Sequence, residues 1–158
     1  AQAALVNRGK LWAPRVAYAI KGPDDVTARR EAAPLRQEVP VGNPEHWDLV
    51  LEGMRRVVNG RRGTARDVGL EANYVIAGKT GTAQVFTQDQ SLDYEQDELE
   101  ESPRNHALFI AYAPFEAPTI SIAVVVDHGG AGSTAAAPIA RAVLDAWLGQ
   151  ERLLGFEP

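Results

Sequence analysis

The sequence predicts an α+β fold, an antiparallel sheet covered by helices, and three observations carry that prediction. Residues 45–59 repeat apolar side chains at spacings of three and four, the mark of a helix with one buried stripe. Residues 106–114 and 119–127 form two apolar runs separated by Phe115-Glu116-Ala117-Pro118, a length that suits a hairpin. Residues 133–148 return to helical spacing, so a closing helix follows the hairpin.

Composition bounds the rest. A chain of 158 residues with 45% hydrophobic and 23% charged side chains is globular and holds one domain or a piece of one, which excludes a disordered tail, a coiled coil or a collagen-like chain. Its longest apolar run, Ile120 to Val126, is far short of the roughly 20 residues that span a bilayer, so a soluble chain is expected. No basic and apolar leader precedes the first helical segment. Without cysteine there is no disulfide framework, thiolate zinc site or cysteine nucleophile, and the redox compartment stays open. A net charge of −5, with only three lysines, argues against a phosphate-backbone surface and hence against a nucleic-acid partner.

The elements follow in order. Ala1 to Gly9 reads as helical turns closed by Gly9. Trp12 to Ile20 reads as a short edge strand with Pro14 near its start. Lys21 to Gly42 is a loop with one weak extended piece around Arg36 to Val39. Asn43-Pro44-Glu45 opens the long helix: Asn accepts from free backbone donors, Pro is pre-set for the first turn, and Glu suits the positive end of the dipole. Its stripe is Trp47, Val50, Leu51, Met54, Val57 and Val58, and Gly60 ends it. Arg61 to Gly69 is a loop or short helical turn in which Gly63-Thr64-Ala65 is too short to interpret alone. Tyr74 to Phe86 reads as one long strand that turns from apolar to small and polar halfway. Residues 87–105 hold seven acids against Arg104 and are expected to form a solvated, flexible loop.

Chemistry concentrates in Gly78-Lys79-Thr80-Gly81-Thr82, which two machines could use. A phosphate-binding loop needs Gly, four residues, then Gly-Lys-Ser/Thr entering a helix. Here Asn73 stands in place of the opening glycine and the intervening Tyr74-Val75-Ile76-Ala77 is strand-forming. The second machine is the Lys-Thr-Gly strand of serine acyl-transfer enzymes that act on D-alanyl peptides and β-lactams. An edge strand offers free backbone groups to an extended peptide, and Gly81 removes a side chain that would block its approach. Lys79 brings a fixed positive charge beside the nucleophile, and the hydroxyls of Thr80 and Thr82 suit a substrate carboxylate. The Thr82 amide is expected to help hold the oxyanion of a tetrahedral intermediate.

The tract Ala77-Gly78-Lys79-Thr80-Gly81-Thr82-Ala83-Gln84-Val85-Phe86, followed by His106-Ala107-Leu108-Phe109-Ile110-Ala111-Tyr112-Ala113-Pro114, resembles the transpeptidase domain of class B penicillin-binding proteins. The likeness runs from about Ala3 to Trp147 and includes Gly53-Met54, Gly63-Thr64-Ala65 and Asp127-His128-Gly129. It implies a penicillin-binding, β-lactamase-like fold with a five-stranded antiparallel sheet, and a peptidoglycan D,D-transpeptidase of cell elongation without a cofactor. It implies Lys79 and Thr82 as catalytic residues, and Lys79, Thr80, Gly81 and Thr82 as the substrate-binding strand. Implied partners are peptidoglycan stem peptides, β-lactam antibiotics, a SEDS-family glycosyltransferase and elongation scaffold proteins, on the periplasmic side of the bacterial inner membrane. The family also uses Ser-x-x-Lys and Ser-x-Asn motifs, and neither is present: none of Ser91, Ser102, Ser121 and Ser133 has Lys three residues on or Asn two residues on. Residues 1–158 are therefore expected to be the C-terminal portion of one transpeptidase domain, with anchor and nucleophile supplied upstream. Two alternatives stand beside this reading, a penicillin-sensing receptor domain of the same fold and a phosphate-loop nucleotide-binding module.

Other candidates have plainer readings. His46, His106 and His128 are dispersed in sequence, lack cysteine company and form no H-x-x-x-H pair, so no metal site is expected and structural roles suit them. In the turn His128-Gly129-Gly130-Ala131-Gly132-Ser133, Ser133 or Thr134 is expected to cap the last helix. Trp12, Trp47 and Trp147 read as core or core-edge anchors.

Overall fold

A computed structural model describes residues 1–17, 19–24, 26–30, 32–84 and 105–154. The chain divides into two compact units, residues 1–48 and 49–158. In the first, helix α1 (Gln2–Val6) ends in a left-handed turn, with φ of 54° at Arg8 and 90° at Gly9. A side chain at Gly9 would lie 2.7 Å from the Val39 carbonyl oxygen, so glycine answers both conformation and space there. Strand β1 (Lys10–Trp12) pairs antiparallel with β4 (Leu35–Glu38), and β2 (Ala19–Ile20) with β3 (Arg29–Arg30). The single strand expected over 12–20 is thus two short pieces. Pro14 lies in the break, and the preceding Ala13 amide bonds the Pro34 carbonyl at 3.0 Å.

Helix α2 (Glu45–Asn59) has the bounds its local signals set. The Asn43 side chain accepts from the Glu45 amide at 2.9 Å, and at the far end the Gly60 amide donates to the Arg56 carbonyl at 2.9 Å. Leu51, Met54 and Val58 are buried, whereas Val50 from the predicted stripe is 45% exposed. Helix α3 (Arg66–Gly69) follows.

The second unit is built on β5 (Ala77–Ala83), β6 (His106–Ala113) and β7 (Ile120–Val126), an antiparallel sheet in that spatial order. The described residues give this sheet three strands, against the five that the resemblance implies; β1 to β4 are short and pair only among themselves. The strand expected from Tyr74 begins instead at Ala77, because the Val75 and Ile76 carbonyls accept from the Phe115 amide and the Asn59 side chain, not from a ladder. The remainder of that strand, Val85-Phe86, and the acidic loop up to Arg104 lie outside the described residues.

A single π turn (Gly132–Ala136) leads directly into α4 (Ala137–Leu154), with Pro138 at the second position of α4. Ser133 and Thr134 do not cap it: the turn has no side-chain cap, and the Thr134 hydroxyl donates to the Ala131 carbonyl at 3.2 Å. One sheet face, carrying Ala107, Phe109, Ala111 and Ala113, packs with Ala136, Ala137, Ala140 and Leu144, and Val58, Val68 and Ile76 complete the core. The alanines let helix and sheet backbones approach closely. Among the described residues no helix is long and apolar enough to cross a membrane.

Candidate functional site

The sequence-predicted residues lie consecutively on β5, an edge of the three-stranded sheet. Its register against β6 pairs Lys79 with Ile110, Thr80 with Phe109, Gly81 with Leu108 and Thr82 with Ala107. Directly opposed residues share a face. Thr80 and Thr82 therefore stand on the side of the buried Phe109 and Ala107, and Lys79 and Gly81 on the other. This continuous ladder rules out the phosphate-loop reading, which needs the Gly-Lys-Thr tract to curl into a helix.

Backbone direction along the strand follows from Gly132. A Cβ placed there would lie 2.1 Å from the Leu108 oxygen, 2.7 Å from the Gly81 oxygen and 3.1 Å from the Gly81 nitrogen. These three atoms converge on one point, so Gly81 and Leu108 form a hydrogen-bonded pair. Alternation then turns the N–H and C=O groups of Thr80 and Thr82 toward the outer edge. The Lys79 ammonium agrees with that direction, for it donates to the Thr80 carbonyl at 2.6 Å. The Lys79 side chain is exposed in this chain. A Cβ at Gly81 would sit 3.1 Å from Leu108 Cβ, so packing on the sheet face favours glycine there.

Three supports of this strand were not read from sequence. The Thr64 and Thr80 hydroxyl oxygens lie 3.1 Å apart, which brings the uninterpreted Gly63-Thr64-Ala65 to the candidate site. Gly132 seats the π turn against Gly81 and Leu108. Arg141 on α4 braces the segment that leads into β5: Nη1 donates to the Val68 and Leu70 carbonyls at 2.6 and 3.0 Å, and Nε reaches both Asp145 oxygens at 2.9 Å. The Tyr74 hydroxyl donates to the same carboxylate at 2.6 Å. Burial first, and then the bond to Asp145, push the Tyr74 hydroxyl well above the ordinary phenol range. Burial also pushes the Asp145 carboxyl upward, but the bonds from Tyr74 and Arg141 outweigh it and hold the group below its ordinary value. Only the Gly-Thr dipeptide and the glycine-rich turn were visible signals of these supports, and neither carries its partner in its own spacing.

Two of the three histidines are less dispersed than their spacing implied. His106 and His128 have ring centroids 5.1 Å apart, and His106 Nδ1 accepts from the His128 amide at 3.2 Å. Asp127 Oδ1 lies 3.4 Å from the same nitrogen. His128 sits at φ 51°, so this contact fastens a left-handed turn at the end of β7. No cluster of three or more metal-ligating side chains occurs among the described residues.

The chain matches the penicillin-binding protein transpeptidase domain family over residues 1–145. Haemophilus influenzae peptidoglycan D,D-transpeptidase MrdA is 38% identical over 146 residues, which cover 92% of this chain and 22% of that protein. The crystal structure of Pseudomonas aeruginosa PBP2 in complex with WCK 5153 superposes with a TM-score of 0.68 at 40% identity, covering 92% of this chain and 28% of that one. Penicillin-binding protein A from M. tuberculosis, as its imipenem acyl-enzyme complex, gives a TM-score of 0.63 at 27% identity, with coverage of 92% and 28%. The chain therefore spans about a quarter of the relatives it matches. With a match across 145 of its 158 residues, and with Lys-Thr-Gly on an edge strand of an antiparallel sheet backed by a helix, the chain belongs to the penicillin-binding protein transpeptidase domain family.

Proposed function

We propose that this chain supplies the substrate-anchoring strand of a serine-type peptidoglycan D,D-transpeptidase that β-lactams acylate. The observation that carries the reading is the outer edge of β5, unpaired among the described residues, along which Lys79, Thr80, Gly81 and Thr82 follow one another, with Thr80 and Thr82 on one face. A donor stem peptide ending in D-Ala-D-Ala adds to that edge as one more strand. The Thr80 and Thr82 hydroxyls take its terminal carboxylate, Lys79 holds positive charge beside the reacting serine, and the outward Thr82 amide binds the oxyanion. Loss of such a donor typically raises the barrier by about 3 kcal/mol.

The serine comes from outside residues 1–158, where no Ser-x-x-Lys occurs. Its oxygen bonds the penultimate D-Ala carbonyl carbon while the C–N bond breaks and D-alanine leaves with the proton. An amine of a neighbouring stem peptide then attacks the ester, forming the cross-link and restoring the serine hydroxyl. This chemistry belongs on the periplasmic side of the inner membrane, in company with a SEDS-family glycosyltransferase and elongation scaffold proteins. The relatives named above carry transpeptidase and penicillin-binding names, so the receptor alternative gains no support from them.

Labelling of the complete protein carrying this chain with a fluorescent penicillin tests the reading. Labelling is expected in the wild type and is lost or much weakened in Lys79→Ala. Undiminished labelling of Lys79→Ala removes the role given to Lys79.

A further inference from the structure

We propose that Thr64 is a positioning residue, one that turns the Thr80 hydroxyl so that its proton faces the substrate carboxylate. The inference rests on β5 being the substrate strand and assigns to that site a residue from a different segment. Its basis is the 3.1 Å separation between the Thr64 and Thr80 hydroxyl oxygens, a pair in which either atom can donate.

The chemistry of the ligand decides the direction. A carboxylate has only acceptors, so Thr80 serves it only as a donor. A hydroxyl has one proton to give, and if Thr80 spent it on Thr64 the substrate would face lone pairs. Thr64 must therefore donate to Thr80 in the productive state, leaving the Thr80 proton outward. That assignment matters because a bond from a hydroxyl to a charged carboxylate is roughly twice as strong as one between neutral groups.

The local fold holds Thr64 ready for this task. On one side, a Cβ at Gly63 would lie 2.2 Å from the Val57 oxygen and 2.7 Å from the Arg56 oxygen, so only glycine lets the chain run this close to the end of α2. On the other, Ala65 is 2% exposed and its amide donates to the Val57 carbonyl at 3.0 Å. The Thr64 backbone is thus pinned by both neighbours against one helix terminus. A β-branched side chain on a fixed backbone has few rotamers, so the hydroxyl is aimed at low entropic cost. Thr64 itself is exposed, so its substitution does not open the core.

The test compares acylation of the complete protein by a penicillin and by the methyl ester of the same penicillin, which lacks the anionic carboxylate. Thr64→Val keeps the branched shape and removes the O–H. It is expected to slow acylation by the free acid about tenfold, the worth of one hydrogen bond, while the rate with the ester stays unchanged. Thr64→Ser restores the acid rate, and Thr64→Val adds nothing once Thr80→Val is present. An equal loss with acid and ester means a merely structural role and overturns the proposal, as does an acid rate that Thr64→Val leaves unchanged. Lys79→Ala separates the two levels of the argument. If it labels like the wild type, the substrate-strand reading falls and Thr64 with it; if it loses labelling while Thr64→Val keeps the acid preference, only the Thr64 role falls.

Discussion

Gly132→Ala is the sharpest probe of how the edge strand is held. The added methyl would be placed 2.1 Å from the Leu108 carbonyl oxygen and 2.7 Å from that of Gly81, whereas ordinary contact begins near 3.4 Å. The π turn and the sheet must then separate by about 1.3 Å. Neither obstacle can rotate away, because both are backbone atoms in the β5–β6 ladder. Overpacking of this kind costs about 1–3 kcal/mol, and two rigid partners place the cost at the upper end. Displacing Gly81 by about 1 Å also moves the Thr80 and Thr82 groups, a misplacement that typically lowers the rate of a positioned reaction about 100-fold. Thermal unfolding and penicillin acylation of the complete protein read the two effects separately. Gly53→Ala is the control: a Cβ there meets nothing within 4 Å, and replacing a helix-interior glycine gains about 0.5–1 kcal/mol. If Gly132→Ala melts and acylates like the wild type, the turn does not fix β5, and the geometry argued from Gly132 is wrong.

Two further substitutions test the supports away from the edge. Arg141→Leu strands the part-buried Val68 carbonyl, removes a bond from that of Leu70 and leaves Asp145 with the Tyr74 hydroxyl alone, and is expected to cost about 2 kcal/mol in denaturant unfolding; a change under about 0.5 kcal/mol would deny Arg141 its bracing role. Glu52 is held down at about 2, first by the hydrogen bond from Arg55 and then by that from Arg56. A depressed folded value means the contribution is complete above the ordinary glutamate value of about 4.3 and is lost as pH falls toward 2. Thermal melts across that window are expected to show a steeper acid loss in the wild type than in Glu52→Gln, and parallel profiles would contradict the assignment.

What sequence made legible was whatever is signalled locally. The bounds of α2 follow from Asn43-Pro44-Glu45 and Gly60, whose bonds reach only two and four residues. The hairpin of β6 and β7 follows from two apolar runs and a short connection. Trp12 to Ile20 misled because aromatic and branched residues favour strands only where a partner lies alongside, and here the partners β4 and β3 meet just its two ends. That Lys79, Thr80, Gly81 and Thr82 share one strand was legible because they continue a strand-forming run, and their chemical role is the proposed one. Thr64, Gly132 and Arg141 could not be read in this way. Their roles are contacts across 16 residues to Thr80, from the π turn back to Gly81, and across 73 residues to Val68, and nothing in their own neighbourhoods names those partners.

An unpaired strand edge invites unwanted pairing, and edge lysines are one of the usual defences. Lys79 fits that role and links it to recognition. Its ammonium occupies the Thr80 carbonyl at 2.6 Å, one of the outward groups that an added strand would use. A neutral peptide segment offers the ammonium nothing better than the carbonyl it already holds. A ligand carrying a carboxylate does, since charge-assisted bonds are roughly twice as strong as neutral ones, so an anionic ligand alone gains by drawing Lys79 off the edge and exposing it. If β5 takes the proposed donor peptide, the same cation shields the strand when it is empty and favours a free C-terminus when it is filled, which requires that Thr80 and Thr82 stay extended while Lys79 moves. The contacts of Gly132 and Thr64 meet that requirement, because they fix the strand through its backbone and its opposite face and leave the lysine free to swing.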